Sequence, residues 1–204
     1  GNQLVVSDDS DITELDDLKG KTVATNQIGS GPYVGVLATY IRSGGNPDDI
    51  EWVSMPMNEQ LQALESGTID GAVLAEPFTT MATTDGHAPI VSAFRTPGYE
   101  IFEPGDPYVV MLGARSYLDA NPDIAEAMQA AMVDANQVAA ENPEMVSELL
   151  ISEAEIDPAI AETLLQPGFV GELTGDELQR MGDAMTDTNM LTNPFDGAAA
   201  VWKP

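Results

Sequence analysis

The chain has 204 residues, with seven Lys and Arg against 34 Asp and Glu, a formal charge of −27, and no cysteine. That charge repels DNA, RNA and anionic membranes, and the lack of cysteine excludes disulfides, thiolate catalysis and zinc–thiolate sites. A hydrophobic share of 43% is enough for one large domain or two small lobes with a real core, and it excludes a disordered chain.

Leu4–Ser7 reads as a short strand, broken by the acidic turn Ser7–Asp11. Thr22–Thr25 is the next strand, followed by the glycine turn Gly29-Ser30-Gly31 and a helix from about Pro32 to Ser43. Pro32 suits a first helical turn, where its missing N–H costs nothing, and Gly44-Gly45 stops the helix. Strand Ile50–Ser54 leads to a helix from about Asn58 to Ser66, with Leu61 and Leu64 on one face and Gly67 at its end. Strand Gly71–Ala75 then runs into Glu76-Pro77 and a helical turn to about Thr83, and Pro89–Phe94 predicts a fourth strand of this half. Strands alternating with helices are the βαβ pattern of a parallel sheet.

The texture changes after Phe94. The stretch TPGYEIFEPGDP is a connector, and Tyr108–Gly113 (YVVMLG) predicts an apolar strand. Everything beyond is helical. Asn121-Pro122, Asn142-Pro143 and Asp157-Pro158 each place a capping side chain before a proline at the first helical position. Thr174 with Glu177 forms a capping box, and Ile124, Met128, Met132, Ala135 and Val138 mark a core stripe on the longest helix.

The carboxyl ends of parallel strands are where open α/β sheets bind ligands. Three stretches meet that rule. The turn Asn26–Gly31 offers backbone N–H groups at a helix N-terminus and the Ser30 hydroxyl, a ready anion site. Ser54–Met57 follows the second parallel strand, and Glu76 follows the third, where it either faces a ligand amine or caps the next turn. Gly29, Gly31 and Gly35 do not make a dinucleotide fingerprint: the spacing is one residue too long, and Ser54 and Met55 stand where the ribose-binding acid belongs.

Other candidates carry less. Asp8–Asp11 resembles a calcium loop only loosely and lacks the closing Glu, so no metal site is assigned. His87, the single histidine, sits in a polar loop and reads as solvent-facing or structural, with no nucleophile to build a triad. Arg95 and Arg115 stand out because cations are scarce; Arg115, at the end of strand Tyr108–Gly113, reads as the partner of an acid rather than of a ligand. The scattered acids (Asp8, Asp16, Asp48, Glu153 and others) suit the solvated surface of a salt-adapted or secreted protein. No apolar run approaches the roughly 18–20 residues of a membrane span, and an exported protein of this kind has lost its signal peptide or carries it upstream.

Five blocks, in order from about Leu4 to Leu191, resemble one family. They are Asp17-Leu18-Lys19-Gly20-Lys21, Asn26 with Gly29-Ser30, Pro56 to Asp70, Glu76-Pro77, and Tyr108–Pro122. The sequence is similar to the extracytoplasmic substrate-binding proteins of ABC importers, of the nitrate/sulfonate/taurine and thiamine-precursor type. The resemblance implies a type II periplasmic-binding-protein-like α/β fold: one βαβ lobe, a connector strand and a C-terminal helical segment. It implies an inter-lobe strand over 1–12, the ligand-binding lobe over 13–94, a hinge over 95–107, and the return strand and helices of the other lobe over 108–204.

Family chains are longer, because an opening segment supplies most of the first lobe, so the resemblance also implies a fragment or a protein trimmed to one lobe. Its implied function is capture of a small anionic or zwitterionic ligand (sulfonate, taurine, nitrate or similar) by lobe closure, for delivery to an ABC permease. The implied ligand contacts are Asn26, Gly29, Ser30, Gly31, Ser54, Met55, Pro56 and Glu76, with no cofactor and no catalytic residue. The implied protein is a monomer, periplasmic or a cell-surface lipoprotein. Two other readings share the fold: an enzyme of the thiamine-precursor or menaquinone-pathway type, and the effector-sensing domain of a transcription regulator.

Overall fold

Short β-branched stretches alternate their side chains between two faces, and both faces here are apolar, as in a sheet covered on each side. The computed structural model describes residues 2–92, 96–103, 106 and 108–203. Within them a five-stranded sheet forms from β1 (Gln3–Val6), β2 (Thr22–Thr25), β3 (Glu51–Ser54), β4 (Gly71–Leu74) and β5 (Ala88–Ser92), in the order β3-β2-β4-β1-β5. Strand β2 runs parallel to both β3 and β4, while β1 is antiparallel to β4 and β5. The fourth expected strand is thus present, and its last two expected residues, 93 and 94, lie outside the described residues.

Each face has its own core. Leu4, Val6, Val23 and Val73 point to one side and pack with Val36 and Tyr40 of α1 (Gly31–Arg42), together with Leu15 and Leu18 of a 3-10 turn. Val5, Ala24, Ala72 and Leu74 point to the other side, against α2 (Met57–Glu65) and α3 (Phe78–Thr84). The result is a three-layer α/β/α body.

Helix α1 is buried without a break from Pro32 to Tyr40. A helix that is apolar all round must be covered all round. Its outer side takes Ile101 and Phe102 of the connector and Ala184, Met181 and Met185 of α8 (Gly175–Asp187). The connector is therefore packed onto the body rather than looped free of it. Arg42 adds a hydrogen bond from Nη1 to the Glu100 carbonyl (2.7 Å) and an ion pair with Asp187 (3.8 Å). Arg180 of α8 grips Asp106 with two nitrogens and lies 4.0 Å from Glu103.

The tail is helical as expected: α4 (Arg115–Ala120), α5 (Pro122–Glu141), α6 (Pro143–Glu153), α7 (Pro158–Ala161), α8, and α9 (Gly197–Ala200). Three details correct the sequence reading. Tyr108–Gly113 is not a strand: the chain runs there without regular structure, with Val109 84% and Leu112 87% exposed. A strand needs a neighbour for its N–H and C=O groups, and none of the described strands lies beside it. The stripe Ile124, Met128, Met132, Ala135 and Val138 of α5 is exposed, and only Ala125 of this helix is buried. Periodicity names an apolar face but not what covers it. Finally, Asn121 and Asn142 do not cap the helices they precede; each donates its amide back to the helix before it, to the Tyr117 carbonyl (2.9 Å) and the Val138 carbonyl (2.7 Å).

Asp157 does cap α7, accepting from the Ala159 N–H at 2.8 Å, and the Thr174–Glu177 box closes in both directions at the start of α8. Since α8 covers α1, that cap matters to the body. Thr174→Ala is expected to lower stability by about 1 kcal/mol, read as a lower urea midpoint with an unchanged slope.

Candidate functional site

The parallel register Thr22↔Glu51 to Thr25↔Ser54, with Val23↔Gly71, brings the carboxyl ends of β2, β3 and β4 to one edge of the sheet. Gln3 pairs with both Leu74 and Ser92, so the chain enters the sheet through β1 and leaves it through β5 at that same edge. The expected residues Asn26, Gly29, Ser30, Gly31, Ser54, Met55, Pro56 and Glu76 all follow strands that end there.

The turn after β2 is tightly built. Gly29 has φ +87°, where side-chain-bearing residues are rare. Ser30 is the N-cap of α1: its hydroxyl donates to Asn26 Oδ1 (2.9 Å) and accepts from the Tyr33 N–H (3.5 Å). Ser54 ties β3 to this turn by accepting from the Ile28 N–H at 3.4 Å. Asn26 and Ser30 thus form one hydrogen-bonded pair, and Ser54 holds the backbone of the same turn. The N–H groups of Gly29 and Gly31 have no acceptor among the described residues, and Pro32 has none to offer. Two donors therefore remain at a helix start, where the dipole favours negative charge.

Met55 and Pro56 do different work. Met55 is half-buried against the Leu64–Leu74 core, and its carbonyl accepts from Gln60 Nε2 at 2.9 Å, which fixes the start of α2. Pro56 is exposed and N-caps that helix without a side-chain bond. The Glu76 carboxylate caps α3, accepting from the Thr80 N–H (3.2 Å) and hydroxyl (2.8 Å) through Oε2. That is the capping role the sequence left open beside a ligand role, and Oε1 takes no hydrogen bond from the described residues.

Sequence reasoning missed two neighbours of the turn. Tyr108 lies over Gly31: a Cβ built there would sit 2.7 Å from the tyrosine hydroxyl. Met190, after α8, lies over Gly29 in the same way, its Cε also 2.7 Å from the built atom. Both come from distant parts of the chain, and no local pattern announces them.

The lesser candidates settle elsewhere. His87 is buried rather than solvent-facing, with its N–H on the Ala82 carbonyl (3.0 Å) and Nδ1 unpartnered. Arg115 opens α4, and its Nη2 donates to the Ala199 carbonyl at 2.7 Å, neither to an acid nor towards the sheet edge. Arg95 lies outside the described residues. Among those described, no three His, Asp or Glu side chains gather as a metal site.

Known proteins place this geometry. Over its whole length the chain follows the periplasmic aliphatic sulphonate binding protein SsuA of Escherichia coli, at TM-score 0.79 and 19% identity, covering 65% of that chain. It follows the alkanesulfonate-binding protein SsuA of Xanthomonas axonopodis pv. citri, a structure bound to MOPS, at TM-score 0.76 and 20% identity, over 98% of this chain and 69% of that one. The desulfurization enzyme DSZB shares the fold at TM-score 0.61 and 16% identity, over 95% of this chain and 71% of that one. A curated relative, the nitrate import ATP-binding protein NrtC of Synechococcus elongatus, is 29% identical over 150 residues, which is 72% of this chain but 20% of that protein. The fold is thus that of the periplasmic binding proteins, and this chain spans only part of each relative's length. The profile described as "NMT1/THI5 like" matches residues 1–146, most of the chain. This protein belongs to the NMT1/THI5-like family.

Proposed function

We propose that this chain is the major part of a solute-binding protein of an ABC importer, which captures a small acid and delivers it to a membrane permease. One observation carries the reading: the three loops after β2, β3 and β4 leave one edge of the sheet, where a helix start keeps unpaired N–H donors, in a fold shared along the whole chain with sulphonate-binding proteins. In this reading residues 13–94 form one jaw, and Asn26, Gly29, Ser30, Gly31, Ser54, Met55, Pro56 and Glu76 line its inner edge. Residues 95–107 carry the chain across the hinge, and 108–204 supply helices of the second jaw, with α8 packed back on the first. The exposed apolar residues of 109–112 and of α5 support a second jaw that extends beyond these helices.

Capture is a population shift, in which the ligand stabilises the closed arrangement of the jaws. Binding rather than catalysis is favoured because most of the similar folds above are binding proteins. An extracytoplasmic location follows from the same reading, and no helix of the described residues is long and apolar enough to cross a membrane.

Calorimetry of the intact protein against taurine, alkanesulfonates, nitrate, bicarbonate and pyrimidine precursors is expected to give saturable one-to-one binding with one class and no product on prolonged incubation. Turnover of any of these compounds, seen by chromatography, assigns the chain to the enzymes of this fold instead.

A further inference from the structure

The hydroxyl of Tyr108 reaches the one place where the expected ligand residues leave donors unpaired. It sits 2.7 Å from where a Cβ of Gly31 would be, with ring carbons at 3.2 and 3.4 Å, so any side chain at 31 would push the ring away. Glycine leaves room there for this close approach, and its backbone angle is not the reason. The buried side chain of Asn2, where the chain enters β1, hydrogen-bonds the same hydroxyl. With the Asn2 amide as donor, the phenol O–H is left for another acceptor. The ring as a whole is 37% exposed, so this donor sits at the rim of the cleft edge and not inside the core.

A second observation comes from the residue just before the turn. The Thr25 hydroxyl, at the end of β2, is fully buried and has no hydrogen-bond partner. Strand alternation puts it on the face of Val23, the face that α1 covers. A buried hydroxyl without a partner is costly, and such groups in native structures usually await a water or a ligand.

Five cations of the described residues are engaged elsewhere: Lys19 is paired with Asp49 and Lys21 with Asp11, Arg42 holds Glu100 and Asp187, Arg115 holds Ala199, and Arg180 holds Asp106. An anion at this edge thus meets the neutral donors of the turn rather than these five side chains.

We propose that Tyr108 is a ligand-contacting residue: its hydroxyl, reaching over Gly31 from the connector side, donates to the acid group bound at the turn Asn26–Gly31. The inference rests on the anion-binding reading above and adds to it the residue that directly follows the hinge crossing. Burial pushes the Tyr108 phenol up to about 12, so it remains a neutral donor across the working pH range. Because the donor starts the segment assigned to the second jaw, head-group binding and jaw position are coupled through one side chain.

The test uses the intact protein, methanesulfonate, MOPS and nitrate as probes, and the variants Tyr108→Phe and Tyr99→Phe. Tyr99 is a second connector tyrosine of the same exposure and serves as the control. Loss of one hydrogen bond to a charged group is expected to weaken binding of every probe that the wild type binds by about tenfold. Tyr99→Phe leaves affinity unchanged, and circular dichroism shows all three proteins fully folded at the assay temperature. The near-ultraviolet difference signal that ligand induces in tyrosine is expected to vanish in Tyr108→Phe alone. Equal affinity of Tyr108→Phe and wild type, or a loss shared by Tyr99→Phe, overturns the assignment of Tyr108 while leaving the anion reading intact. A wild-type protein that binds none of the probes overturns both.

Discussion

Asp106→Asn is expected to be the most damaging single substitution in the connector, lowering stability by about 3 kcal/mol at pH 7, near the lower end for breaking one side of a buried ion pair. The Asp106 side chain is 3% exposed, and it faces the Arg180 guanidinium, which is 30% exposed. The Asp106 carboxylate also accepts from the Glu103 N–H at 2.8 Å, so it shapes the connector turn as well as the pair. With asparagine, the guanidinium keeps one acceptor and loses its nearer counter-charge, leaving Glu103 at 4.0 Å. The connector then loosens, and with it the cover that Ile101 and Phe102 place over α1, worth about 1.5–3 kcal/mol per side chain when fully buried. Urea unfolding of Asp106→Asn measures the cost directly. An Asp106→Leu, Arg180→Met double variant separates charge from packing, and is expected to recover much of the loss because apolar replacement of a whole buried pair is often neutral.

The same pair has a pH signature. Burial pushes the Asp106 carboxyl up, but the Arg180 hydrogen bond and charge, with the Glu103 N–H, outweigh it and hold the group below its usual value. A folded-state value below the unfolded one means that the stabilisation is complete above the unfolded carboxylate value of about 3.9. It is lost as pH falls through the lower folded value. The difference between wild type and Asp106→Asn is therefore expected to be constant from pH 8 to 5 and to shrink below pH 4. Taking the difference removes the many other carboxylates that protonate in the same range.

Added salt is expected to stabilise this protein, the reverse of what its ion pairs alone would give. At −27 the folded chain carries a large self-repulsion that unfolding relieves. Raising monovalent salt from 0.1 to 1 M shortens the screening length from about 10 Å to about 3 Å. That weakens repulsion between surface acids while barely touching the shielded Asp106–Arg180 pair. The exposed pairs Lys19–Asp49 (3.3 Å) and Lys21–Asp11 (3.0 Å) lose something, but such pairs contribute about 0–1 kcal/mol each. If screening recovers about 2 kcal/mol, the melting temperature of a chain this size rises by about 4–8 °C. A melting temperature that falls with sodium chloride would mean that attraction, not repulsion, dominates the surface.

The βαβ elements were legible because their signals are local. Gly29, Ser30 and Pro32 announce a turn and a helix start within six residues, and β1 to β5 each show as a short apolar run bounded by turn chemistry. The edge that carries the candidate site was legible for the same reason, since parallel strands oblige their carboxyl ends to line up. What each edge residue does was less so: Glu76 caps Thr80 and Met55 anchors α2, both decided by neighbours that spacing does not name.

The outright errors share a cause. YVVMLG has the composition of a strand, and Ile124 to Val138 has the period of a buried face, yet neither finds a cover among the described residues. Propensity and periodicity state what a segment would bury; only the packed chain states against what.

By itself, the sequence determined the α/β body, the parallel strands with their glycine turn, the helices of the tail and the acidic surface, because each depends on residues a few positions apart or on composition alone. The tertiary structure decided that β1 lies antiparallel inside the sheet, that Arg180 reaches Asp106 across 74 residues, and that Tyr108 comes to rest on Gly31. Those contacts arise from closing long loops, whose entropic cost grows only slowly with length, so no local pattern records which distant residue will meet which.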